Sequence, residues 1–243
     1  MMTTNKMKVA PRNRIMFFDV ETTGLLPHRN ENITLQATTV HKFPHILQLS
    51  FILFNMVTKR VETHGDFYIK PPPGITVPKI VTEMTGITKE LCDSKGVAIE
   101  QAMTAFYGAY MNCDTVVSHN LYFDKKMIEV EQFRHNELFA LRCPGLLNMF
   151  NPVYDDLYKI NNFCTMQASI DLCNIEVPRK DGKGTYKKFP KLEELYEHLF
   201  SAKPNNLHNS IVDTLVGLRC YLKVRHNIDI TDCEFEYLMT SYL

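Results

Sequence analysis

The first sustained apolar run, Arg14-Ile15-Met16-Phe17-Phe18-Asp19, is short and uniformly apolar, which suits a strand buried on both faces. It breaks abruptly into Val20-Glu21-Thr22-Thr23-Gly24. A polar stretch, roughly 27–44, then reads as a long loop or insertion. Two strand-like runs, 46–57 and 61–70, flank Thr58-Lys59-Arg60 as in a hairpin, and Pro71-Pro72-Pro73-Gly74 ends the sheet. Short helices are predicted over 78–84 and 97–112. The strand Thr115-Val116-Val117-Ser118 leads into a helix over about 122–135, with Phe123, Met127, Ile128, Val130 and Phe133 as its apolar stripe. The segment 137–162 lacks a clear period and reads as a second insertion. Helices return over 165–173, 191–200 and 209–225, followed by a short terminal element. Strands first and then strand–helix alternation predict an α/β fold, a mixed β-sheet flanked by α-helices, in one domain spanning 1–243 without internal repeats.

Composition narrows the class. With 243 residues, 45% hydrophobic and 22% charged, the chain has ample material for a core, and 22 prolines and glycines are too few for a collagen-like or low-complexity chain. Seven cysteines form no Cys-x-x-Cys pair and their number is odd, which argues against a zinc ribbon or a disulfide framework and for a reducing intracellular setting. The N-terminal residues carry positive charge but no apolar stretch of signal-peptide length. The most apolar window, 46–57, is interrupted by Gln48, Ser50 and Asn55 and falls well short of the roughly 18–20 residues of a membrane span. A soluble protein without a membrane partner is expected, and no protein partner or oligomeric state is marked. Equal numbers of basic and acidic residues, 27 each, remove the simplest argument for a nucleic-acid binder. The same balance also results when a negative site lies beside a positive patch.

Acids at element ends supply the candidate chemistry. Asp19 and Glu21 close an apolar strand that has no packing use for them, and their i, i+2 spacing places both carboxylates on one side. Two anions so close repel unless a proton or a metal separates them, and Mg²⁺ or Mn²⁺, which prefer oxygen ligands, would remove the conflict. An acidic turn leaving for solvent has the same local pattern. Gly24 permits close backbone approach to a ligand. Asp124 lies near a helix start, where taken alone a cap or a partner of the helix macrodipole is the commoner role and a metal ligand the rarer one. Asp213 lies one turn into the last long helix, and Ser210-x-x-Asp213 has the spacing of a capping box. His208 precedes that helix on a loop that leaves its ring free to swing.

Taken together, Phe17-Phe18-Asp19-Val20-Glu21-Thr22-Thr23-Gly24-Leu25, His119-Asn120-x-x-Phe123-Asp124 and His208-x-x-x-x-Asp213 resemble the three motifs of the DEDDh 3′→5′ exonucleases. That family includes the proofreading subunit of bacterial replicative DNA polymerase. The segments 77–88 and 191–200 also resemble family segments, so the likeness spans about residues 14–225. It implies a ribonuclease H-like fold and a two-metal phosphodiester hydrolysis, with two divalent cations, Mg²⁺ or Mn²⁺. Asp19, Glu21, Asp124 and Asp213 would be the metal ligands and His208 the general base. By the same resemblance Thr22, Thr23, Gly24 and Leu25 would meet the 3′-terminal nucleotide, and His119, Asn120 and Phe123 would shape the second motif's turn beside the nucleic acid. Thr85 stands where many members carry His, and Ser210 where Ala is usual. The implied substrate is nucleic acid with a free 3′ end, single-stranded rather than duplex, with DNA and RNA not separable. A catalytically silent nucleic-acid-binding module is the competing class, and retention of all four acids and the His argues against it.

The stretch 179–191 holds six basic residues and one acid. It reads either as a solvated loop or as a nucleic-acid clamp in which Lys183, Lys187 and Lys188 meet phosphates while Tyr186 stacks on a base.

Overall fold

A computed structural model describes residues 11–204, 207–230 and 232–242; the N-terminal residues considered above as a leader lie outside this range. Strand β1 (Arg14–Thr22) pairs antiparallel with β2 (Ile46–Asn55), and β2 pairs antiparallel with β3 (Arg60–Tyr68). On its other side β1 runs parallel to β4 (Thr115–Ser118), which runs parallel to β5 (Asn161–Cys164). The sheet order is β3-β2-β1-β4-β5, a mixed sheet as predicted. β1 continues three residues beyond its apolar run, so Glu21 and Thr22 still belong to the ladder. There the register slips: Glu21 faces Gln48, whereas Thr22 faces Ile46. Such irregularities re-aim side chains at strand ends.

Three short helices precede β4: α1 (Lys79–Thr85), α2 (Lys89–Lys95) and α3 (Ile99–Met111). The sequence pattern omits α2, whose start is marked by Thr88, with its hydroxyl accepting the Leu91 amide at 3.1 Å. Thr85, in place of the family's common His, bonds the Val81 carbonyl at 2.9 Å and the Ile87 amide at 3.1 Å, closing the end of α1. Between β4 and β5 lie α4 (Leu121–Arg134), α5 (Asn136–Arg142) and α6 (Pro152–Tyr158). The stretch 137–162, which shows no clear period in sequence, is thus largely helical. Phe139, Leu146, Met149 and Phe150 are buried with α3 and β1, and the segment's end enters the sheet. The earlier stretch 27–44 is a loop with two 3₁₀ turns, as expected.

The predicted helix over 165–173 is two pieces, α7 (Thr165–Ala168) and α8 (Ile170–Cys173). After them β6 (Glu176–Pro178) and β7 (Thr185–Lys187) form a separate hairpin where a loop was expected. Helices α9 (Leu192–Phe200), α10 (Ser210–His226) and α11 (Asp232–Tyr242) complete the chain. Among the described residues no helix is long and apolar enough to cross a membrane. The six cysteines whose side chains are described are all free.

Two cores sandwich the sheet. Met16, Phe18 and Val20 point toward α3 and α4, while Ile15 and Phe17 point toward α10 with Ile52, Phe54 and Val117. Helix α10 lies close on β1 because Gly217 meets the Phe17 ring; a Cβ there would sit 2.2 Å from it. The α4 stripe is corrected at one end. Phe133 is exposed, and Glu131 and Gln132 turn inward instead. They are accommodated because Arg134 pairs with Glu131 at 2.6 Å and Gln132 donates to the Leu146 carbonyl at 2.7 Å.

Candidate active site

The sheet face covered by α10 changes character along its length. On β1 it runs Ile15, Phe17, Asp19, Glu21, and on the adjacent β2 Phe54, Ile52, Ser50, Gln48. Alternation in an extended chain requires this: residues two apart share a face. The apolar half seats α10, and the polar half lies at the N-terminal end of that helix. There Asp213, in the first turn, joins the strand acids. Asp19, Glu21 and Asp213 each offer an oxygen within 4.8 Å of the others.

The N-terminus of α10 is fixed to both strands. The Ser210 hydroxyl donates to the Asp19 carbonyl at 2.8 Å, and the Ser210 amide donates to Gln48 Oε1 at 3.4 Å. Gln48 and Ser50 in turn donate to Asp66 Oδ1, both at 2.7 Å. The helix cap is Asn209, whose side chain accepts the Ile211 amide at 3.2 Å, so the capping-box alternative for Ser210 and Asp213 is not the one adopted. Ser210 is the first residue inside the helix and uses its hydroxyl on β1. His208 is exposed, with φ of 69°, and its main-chain N–H donates to Asp213 Oδ2 at 3.2 Å. A left-handed non-glycine residue at this position holds the chain in a bend that leads the imidazole outward.

Asp124 lies in the first turn of α4, beside Asp19 but outside the three-acid group. It is buried and accepts a hydrogen bond from the Ser118 hydroxyl. Burial, followed by the charge of Asp19, pushes its carboxyl well up, against the amides of Val20 and Asp124 and the Ser118 hydroxyl. Burial likewise raises Asp213 to about 8, reinforced by Asp19 and opposed by the His208 amide. Glu21 rises to about 9 through burial and then repulsion from Asp19, Asp213 and Asp124. Asp19 rises to about 6, with Ser210 easing the effect of burial. The cluster thus resists negative charge by itself. Asp19 Oδ2 and Asp213 Oδ1 are buried without a hydrogen-bond partner. Oxygens held together in this way suit a hard cation.

The predicted substrate contacts divide. Leu25 is 85% exposed, and no protein atom lies within 4 Å of where a Gly24 Cβ would sit. Thr23 is bound twice to His45, its hydroxyl accepting the His45 amide and its own amide reaching the His45 carbonyl, each at 2.9 Å. Thr22 is buried and its hydroxyl closes on the Gly24 carbonyl at 2.6 Å. His119 is held from both sides of its ring. Its Nε2 donates to the Pro190 carbonyl and Nδ1 faces the Thr165 hydroxyl, each at 3.0 Å, and burial lowers its pKa to about 4. The ring is a neutral clasp that shapes the turn. Asn120 precedes α4 with φ of 150° and without a side-chain capping bond, and Phe123 packs partly into the core. In the basic stretch Lys187 pairs with Asp171 at 2.6 Å and Lys188 pairs with Glu194, while Lys183 and Tyr186 remain exposed. Sequence reasoning missed Gln48, Ser50 and Ser118. Their signal was polarity at inward positions of otherwise apolar strands.

The exonuclease family model, of the ribonuclease T type, matches residues 16–221. The chain belongs to this exonuclease family. Among relatives, the PolC-type DNA polymerase III of Mycoplasmopsis pulmonis is 27% identical over 141 residues, which is 56% of this chain and 8% of that one. Exonuclease I of E. coli in complex with a dT13 oligonucleotide is 16% identical with a TM-score of 0.58, over 94% of this chain and 44% of that chain. The nuclease domain of 3′hExo, a DEDDh family member bound to rAMP, is 16% identical with a TM-score of 0.53, over 91% and 94% of the two chains. The exonuclease chain described here therefore spans under half of exonuclease I and a small part of the polymerase. Its sheet and helices have the ribonuclease H-like exonuclease fold.

Proposed function

We propose that the chain is a single-domain, metal-dependent 3′→5′ exonuclease that removes nucleoside monophosphates from the 3′ end of single-stranded DNA. The observation that carries this reading is the three-acid group, two of whose buried oxygens lack any partner, in a chain of the exonuclease family. Asp19, Glu21 and Asp213 would hold one divalent cation, Mg²⁺ or Mn²⁺, and Asp19 with Asp124 a second. When bound, the cations supply charge neutralisation at the attacking and leaving oxygens of the phosphodiester.

The chain's own groups do the remaining work. The Ser210 and Gln48 contacts hold the first turn of α10, and with it Asp213, against β1. Ser118 fixes the Asp124 carboxylate. His208, exposed beside Asp213, takes the proton of the attacking water on a ring nitrogen. Thr23 and Leu25, with open space at Gly24, receive the terminal nucleotide. The oligonucleotide bound to the exonuclease I relative supports a single strand. The rAMP bound to the 3′hExo nuclease domain favours a second reading, a 3′→5′ exoribonuclease using the same groups.

Hydrolysis of matched 5′-labelled DNA and RNA strands with Mg²⁺, Mn²⁺ or EDTA tests both readings. Stepwise shortening from the 3′ end with metal and none in EDTA is expected, and the faster strand assigns the substrate. Binding of strands without hydrolysis under any metal overturns the enzyme reading in favour of a silent module.

A further inference from the structure

The β6–β7 hairpin is an outlying part of the fold with a firm root. At its base the Pro190 carbonyl accepts from His119, which directly follows the Ser118 that bonds Asp124. Lys188 pairs with Glu194 on α9, and its amide donates to the Ile175 carbonyl at 2.9 Å. Lys187 pairs with Asp171, just before the hairpin. Two of the six cations in this stretch therefore brace the hairpin itself.

The outer half is different. Arg179, Lys180 and Lys183 are exposed, and among the described residues none of the three forms an ion pair. The lone acid, Asp181, accepts the Lys183 amide at 3.0 Å as part of the turn. Gly182 and Gly184 take φ of 71° and 85°, so the turn is built by two residues that suit left-handed backbone. Tyr186 is 47% exposed with the Arg179 guanidinium 5.9 Å from its ring centre, and Phe189 is 53% exposed nearer the root. The exposed Tyr186 ring thus lies beside cations that have no acid partner among the described residues. Ring and cations together match a flexible polyanion that carries flat bases.

We infer that this hairpin is an arm for the single strand on the 5′ side of the scissile nucleotide, in which Arg179, Lys180 and Lys183 meet phosphates and Tyr186 stacks on a base. The inference rests on the nuclease reading for the direction of the strand. It replaces Lys187 and Lys188, which the sequence suggests, with the cations that the fold leaves available. Because His119 ties the root to the catalytic turn, the arm is held at a fixed offset from the site.

The test measures binding of the full chain to a long oligothymidylate and to a trinucleotide in EDTA across a salt series, so that hydrolysis plays no part. The combined variant Arg179→Gln, Lys180→Gln, Lys183→Gln is expected to weaken the long strand more than the trinucleotide. Its log–log salt slope should fall by about 0.7 per lost phosphate contact, or roughly 2 in all. Tyr186→Ala should lose about tenfold on the long strand, within the range of one base stack, and Tyr186→Phe should recover most of it. An unchanged slope, or equal losses on both lengths in a variant whose melting is intact, overturns the arm. Failure of the nuclease reading is separate: it is absence of cleavage by the intact chain with metal, which these binding measurements do not involve.

Discussion

Replacing Asp213 with Asn separates what the acidic group does for chemistry from what it costs the fold. Burial and Asp19 lift the Asp213 carboxyl from 3.8 to about 8 in the metal-free fold. A tenfold change in proton affinity corresponds to about 1.4 kcal/mol, so the full shift would be ~6 kcal/mol against the charged form. Water reaching a half-buried cluster reduces this to about 1–3 kcal/mol. The sign follows from linkage. Below about 4 the carboxyl is neutral in both states and adds no penalty. As pH rises toward 8 the unfolded chain ionises while the fold resists, so stability falls, and above 8 the loss is complete. Glu21 acts in the same direction up to about 9.

Urea denaturation of the metal-free chain in EDTA is therefore expected to show a loss from these acids that runs from about 4 to about 9, seen alone above about 6.5, where the opposing His119 contribution has ended. Asp213→Asn should be more stable than the intact chain at the upper end by about 1–3 kcal/mol and should flatten the slope. Added Mn²⁺ should stabilise the intact chain strongly and the variant weakly, and the variant should lose hydrolysis. If metal-free Asp213→Asn is less stable than the intact chain near pH 9, the carboxyl was not strained and the cation-holding argument fails.

Four other substitutions probe separate links. His208→Ala should lower kcat by about 10²–10⁴-fold with little change in strand binding, as expected for loss of a general base; single-turnover kinetics beside equilibrium binding distinguish the two. His119→Gln should remove an acid-side instability: with a folded pKa near 4 the neutral ring is favoured, so the intact chain loses stability as pH falls from about 6.5 to about 4. Urea midpoints across that window check it. Arg134→Met leaves the buried Glu131 with His135 alone at its carboxylate and frees the carbonyls of Val40, Phe43 and Pro44, at a cost of about 3 kcal/mol by denaturation; pairing it with Glu131→Gln should recover part. Gly217→Ala drives a methyl into the Phe17 ring and should cost about 1–3 kcal/mol by the same measurement.

What could be read from the chain depended on whether a feature was local. Asp19 and Glu21 stood out because an apolar strand ends on them, and period two already placed them together. β5 was hidden because Asn161-Asn162-Phe163-Cys164 has neither alternation nor an apolar run; it is a strand only because β4 offers a free edge. Phe133 looked like core and Glu131 like surface until Arg134 supplied an internal partner for the acid. Ser210 looked like a cap, but its bond to the Asp19 carbonyl spans 191 residues of sequence and has no local signature. The basic stretch was visible as charge, whereas its division into bracing and available cations required the positions of Asp171 and Glu194.

The balance of 27 basic and 27 acidic residues is a poor guide to this protein's surface for the same reason. Formal counting assigns a full negative charge to Glu21 and Asp213, yet in the metal-free fold burial and mutual repulsion hold both largely protonated at neutral pH. The metal-free protein is accordingly more positive than its count. If two divalent cations bind, the four carboxylates ionise and the ions offset them, so the protein is again more positive than its count, which includes the acids but not the ions. In neither state does the site present the repulsion that four exposed acids would offer to an approaching phosphate backbone. Long-range attraction then falls to exposed cations such as those of the β6–β7 hairpin, whose field is not cancelled by the acids deep in the sheet.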